Sequence, residues 1–230
     1  MTGVQTCALP IWSPAVPYIA PFVVFLAVLG LGSVWPLSGV PDQLARIAIV
    51  SAVLLAVSRP VMDFRVRSWV GTVTMGVLIF AIWIAPDLIY PDYRRLWLFN
   101  NAITGSARST LPAADLQNPA ILFLRTARAA VLVPILEELF WRGWLMRWLI
   151  APDFRTVALG TYAKTSFWVV AALFASEHGP YWDVGFLAGV LFNYWMVRTK
   201  SLGDLMFAHA VANLLLSGYV IAAGKWEYWL

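Results

Sequence analysis

The chain has 230 residues, 61% of them hydrophobic and 12% charged, with a mean hydropathy of +0.74. A soluble domain of this length could not keep so much apolar surface out of water, so lipid is the implied solvent. The net charge of +4 is modest and no stretch forms a dense basic patch, which speaks against a nucleic-acid partner and leaves the basic residues as topology signals.

Along the chain, residues 1–11 read as a translated sequencing-library adapter and are set aside from fold reasoning, together with Cys7, the single cysteine. Residues 12–230 are expected to form one integral membrane domain. A spanning helix needs about 20 apolar residues, and seven segments approach that length: Tyr18–Trp35, Leu44–Val57, Val70–Leu88, Ala129–Leu149, Tyr162–His178, Asp183–Val197 and Leu202–Ala223. The predicted fold class is therefore all-α, a polytopic transmembrane bundle of about seven spans with interfacial helical segments. The runs are continuous rather than alternating, which argues against a β-barrel. A polar loop, Tyr90–Asn118, separates the third and fourth spans. The fourth helix begins near Pro119, and its first turns, with Arg125 and Arg128, are expected at the interface. Trp141, Trp144 and Trp148 are expected to face lipid or the interface, and Gly30, Gly32, Gly185 and Gly189 to ease helix packing. Basic residues at Arg59, Arg65 and Arg67, at Arg155 and Lys164, and at Arg198 and Lys200 put those loops and the N-terminus in the cytoplasm by the positive-inside rule.

Ionisable groups at membrane depth are costly and mark function. Glu137 and Glu138 are adjacent on the fourth helix, so they point about 100° apart. Glu138 and Arg142 are i,i+4 and should pair, which leaves Glu137 without a partner in its own helix, as a general base or a ligand. Only two histidines occur. His178 follows Phe174 at the end of the fifth span, and His209 shares a face with Asn213 in the seventh. Asn193 in the sixth is either a helix–helix hydrogen-bonding residue or a support for the site.

Three motifs, Glu137-Glu138 with Arg142, Phe174 with His178, and His209 with Asn213, resemble in content and order those of the CPBP intramembrane proteases. That family includes the type II CAAX prenyl endopeptidases and the Abi proteins, and the length and N-terminal run also resemble a bacterial branch associated with exosortase systems. The resemblance implies a catalytic core within 119–223 and hydrolysis of a peptide bond in a membrane-anchored or lipidated substrate. It further implies that Glu137 activates water, His178 assists, His209 and Asn213 stabilise the oxyanion, and Glu138 and Arg142 hold the site's shape, with Phe174 in support. A bacterial plasma membrane is the implied location. Glu137, His178 and His209 are also the residue types of a His/His/Glu zinc site, so a metal and a metal-free glutamate mechanism both stay open. The alternatives are a transporter or proton relay, and a catalytically silent membrane scaffold. One tension is geometric: His178 belongs to the outer end of its helix, while Glu137 and His209 lie near mid-depth.

Overall fold

The computed structural model describes residues 13–32 and 34–229; the adapter-like stretch 1–11 lies outside them. The described residues form helices and turns, with a lone β-bridge between Asn101 and Gly105. The principal helices are α1 (Val16–Gly30), α2 (Gly39–Val53, prolonged by a wide π-turn over Leu54–Ser58) and α3 (Trp69–Ile89). They are followed by α4 (Pro119–Trp148), α5 (Lys164–Ser176), α6 (Trp182–Thr199) and α7 (Leu202–Ala223). Four stretches, Gly39–Val61, α3, α4 and α7, are long and apolar enough to cross a bilayer, while α1 and α5 are shorter apolar helices. The chain is an all-helical integral membrane protein.

Capping chemistry explains several ends. Asn118 accepts a hydrogen bond from the Ala120 N–H just before Pro119, so α4 starts with a side-chain cap and a proline at its first position. Ser201 does the same for α7, accepting from the Asp204 N–H, and Gly224, at φ 65°, stops that helix in the left-handed region.

Contacts at helix ends gather the chain onto two faces. On one, Ser58 donates to the Pro17 carbonyl at 2.5 Å, so the end of α2 meets the start of α1. That carbonyl is the one Pro21 cannot serve, because proline lacks the N–H four residues on. On the same face the start of α7 is tied to the start of α3. Buried Asp204 accepts from the Arg67 N–H (2.7 Å), the Ser68 N–H (3.0 Å) and the Thr72 hydroxyl (2.6 Å).

On the other face the 90–118 loop is packed down rather than free. Arg94, 7% exposed, donates to the Pro180 carbonyl, pairs with Asp183 and Asp87, and stacks on Tyr93, Phe99 and Tyr181. Trp182 donates from its indole to the Leu98 carbonyl. The chain after α7 returns over this face. The Thr110 N–H bonds the Trp229 carbonyl, and the Tyr228 hydroxyl donates to Asp87 at 2.8 Å. Burial and the Asp87 carboxylate hold the Tyr228 phenol well above its ordinary range, so it remains a donor.

Replacing Asp204 with Asn keeps its size but turns an acceptor oxygen towards donors as an NH2 group. The Asp204→Asn variant is expected to lose about 1–3 kcal/mol of stability, read as a lowered midpoint in thermal unfolding of detergent-solubilised protein.

Candidate active site

The arrangement starts in α4, which is not a uniform helix. Wide π-turns at Arg128–Leu132 and Leu139–Leu145 flank the α-helical stretch Val133–Glu138. In a π-turn each carbonyl is served by the N–H five residues on, and such turns recur at functional sites. For Ala129 that residue is Pro134, which has no N–H. Asn213 of α7 supplies the missing donor, its Nδ2 lying 2.8 Å from the Ala129 oxygen. One amide thus bridges α4 and α7 at the point where α4 turns Glu137 inwards.

Glu138 pairs with Arg142 as its i,i+4 spacing predicts, Nη1 standing 3.1 and 3.2 Å from the two carboxylate oxygens. It also has a second partner that no spacing within α4 discloses: Nδ1 of His209 is 2.9 Å from its Oε1. Arg142 spends its other donors on Asn193 Oδ1 (2.9 Å) and the Gly189 carbonyl (3.4 Å), with Phe174 and Phe192 against its guanidinium. Asn193 in turn donates to the Phe167 carbonyl at 2.8 Å. Asn193 therefore links α5 to α6 and also holds Arg142 by a hydrogen bond. Glu138, Arg142 and Asn193 are fully buried. A buried ion pair repays its desolvation only when its remaining donors and acceptors are met, and here the network spans α4, α5, α6 and α7.

Glu137 is the exception. It is 7% exposed, its Oε2 has no hydrogen-bond partner, and it faces a cavity of about 260 Å³. His178, His209, Asn213, Phe174 and Glu177 line the same cavity, so the four residues singled out from sequence share one space. The shortness of α5 is consistent with His178 reaching this cavity. Its 13 residues rise only about 20 Å, against a hydrocarbon core of about 30 Å. The chain turns back at Gly179, at φ 51°, and the 90–118 loop covers that turn through Arg94 and Trp182. Gly185 of α6 leaves room for the imidazole, because a Cβ there would lie 3.2 Å from the ring of His178.

The hydrogen bonds fix how each ring is presented. His178 Nδ1 lies 2.7 Å from the Phe174 carbonyl, which can only accept, so Nδ1 carries the proton and Nε2 keeps its lone pair. His209 directs Nδ1 at Glu138, leaving Nε2 as its free nitrogen as well. The Phe174 ring packs against both imidazoles, with centroids 4.7 and 6.3 Å away.

Two expectations need correction. Trp141 does not face lipid: it is 6% exposed, and its indole donates to Glu177 at 3.1 Å, the aromatic contacts with Phe22 and Phe174 shielding it. Arg125 and Arg128 are buried against the cavity, where α2 and the C-terminal turn pack over them. Gly30 packs against nothing, a Cβ there meeting open space. Glu177 was missed as a lining residue, although it is an ionisable group at depth by the same logic that selected its neighbour His178. Among the described residues no group of three His, Cys, Asp or Glu side chains is placed to hold a metal ion. Glu137, His178 and His209 thus share a cavity without forming a ligand set in this geometry.

An all-helical membrane protein with an unpartnered carboxylate and two oriented imidazoles around one cavity has the means for acid–base chemistry. Residues 119–215 match the family model of the Rce1-like type II CAAX prenyl endopeptidases, a family of membrane proteases to which this part of the chain is similar. No curated protein and no solved structure matches.

The Arg142→Met variant strands Glu138 with His209 alone and is expected to cost about 3–5 kcal/mol. The double variant Glu138→Leu/Arg142→Met should recover part of that loss, which thermal unfolding of the two side by side will show.

Proposed function

We propose that the chain is an intramembrane endopeptidase that hydrolyses a peptide bond of a membrane-associated or lipidated protein, with Glu137 activating the attacking water. The observation that carries this reading is the unpartnered Glu137 carboxylate, set in one cavity with the free Nε2 atoms of His178 and His209. The match of 119–215 to a peptidase family favours hydrolysis over transport or a silent scaffold.

Glu137 takes a proton from water as the water oxygen bonds to the scissile carbonyl carbon. The lone pair on His178 Nε2 accepts the water's other hydrogen and so aims it. The carbonyl oxygen becomes an oxyanion. Asn213 has one amide hydrogen left after serving Ala129, and donates it. His209 turns Nε2 towards the same oxyanion, its Nδ1 held by Glu138. Collapse breaks the C–N bond, and the proton on Glu137 passes to the leaving nitrogen. Glu138, Arg142, Phe174 and Asn193 position these groups without touching the reacting atoms.

The charge bias supports a cytoplasmic face at residues 59–67, 155–164 and 198–200, with the N-terminus on that side, in a bacterial plasma membrane. The partners are then the bilayer itself and a membrane-anchored protein or peptide.

Cleavage of a membrane-anchored reporter by reconstituted protein tests the reading. Glu137→Gln is expected to lose at least about 1,000-fold in rate with an unchanged melting midpoint, and undiminished cleavage would refute the proposal. Asn213→Ala should show two effects at once: a rate lowered about 100-fold or more, and about 1 kcal/mol lost in stability through the orphaned Ala129 carbonyl.

A further inference from the structure

The cavity holds a cation that the proposed chemistry does not use. Arg128 is only 9% exposed and lines the same space as Glu137. Among the described residues its guanidinium has neither a hydrogen bond nor an ion pair. Asp42 is near enough to act on it, yet is committed to Arg46 at 2.5 Å and to Gln43 at 3.0 Å. Arg125, one turn earlier, differs in being engaged with Thr110 and the Trp229 ring. A buried guanidinium left unmet is costly, and a planar fork of donors fits a carboxylate bidentately.

We infer that Arg128 is an anion-binding specificity residue, which seats a carboxylate of the peptide substrate in the cavity while the scissile bond lies at Glu137. The inference rests on the cavity being the substrate site. A peptide carboxylate is favoured over a lipid phosphate by position. Arg128 is inside the cavity wall, whereas the cations suited to headgroups, such as Arg95 and Arg108, are exposed.

The test is binding, so it stands apart from cleavage. Purified full-length protein in detergent is titrated with N-decanoyl-Val-Leu bearing a free carboxylate, with the same compound as its carboxamide, and with decyl phosphate. Quenching of tryptophan fluorescence is followed, Trp83 and Trp229 lying on the cavity wall, and micelle partitioning is subtracted. The free acid is expected to bind about tenfold to a hundredfold more tightly than the amide. That preference should vanish in Arg128→Gln and be partly kept in Arg128→Lys. Equal binding of acid and amide overturns the inference, as does a preference that survives Arg128→Gln. Tight binding of decyl phosphate with neither peptide bound would assign the residue to lipid and also overturn it. If Arg128→Gln does not fold, the wild-type comparison of acid and amide together with Arg128→Lys decides. A protein that shows the acid preference but cleaves nothing would refute the peptidase reading and leave this one standing.

Discussion

The architecture hangs on the Glu138 carboxylate, claimed at once by Arg142 in its own helix and by His209 from α7. One negative charge with no access to water cannot be left half-satisfied, so the helices supplying its partners must stay in register. Arg142 extends the constraint to α6 through Asn193 and the Gly189 carbonyl, and Asn193 extends it to α5. The imidazole of His209 is therefore aimed by the same charge that locks the bundle. Stability and presentation of the free Nε2 are one property here, not two.

Around that lock, backbone defects are placed where a side chain from another helix repairs them. Pro21 frees the Pro17 carbonyl and Ser58 meets it; Pro134 cannot serve Ala129 and Asn213 does. In lipid an unmet carbonyl has no water to fall back on, so each repair is also a tertiary contact. Asn213 is thereby tied to the chain that carries Glu137, which makes its position relative to that carboxylate a matter of covalent and hydrogen-bonded geometry rather than of loose packing.

What was legible in the sequence followed from local periodicity. Helical spacing alone separated Glu137 from Glu138 and paired the latter with Arg142. Hydropathy gave the helical membrane class, and the helix cores fell close to the segments expected. What was not legible depends on neighbours in space. Nothing in the spacing of α4 tells that Glu138 also receives His209. Trp141 looks like any interfacial tryptophan until Glu177 is found beside it, and nothing local to Arg128 tells that α2 packs over it. The π-turns of α4 were hidden for a similar reason. Pro134 announces a disturbed ladder, but which way the backbone yields depends on Asn213, 79 residues further on.

The short α5 also bears on the lipid around the protein. Its outer side presents apolar residues such as Trp168 and Leu173, yet the helix rises well short of an ordinary hydrocarbon thickness. Acyl chains against that wall must shorten or tilt to match it, thinning the leaflet locally. Headgroups and water then dip towards the level of the Gly179 turn, directly beside His178. The hydrocarbon against this face is then thinner than against the longer α3, α4 and α7.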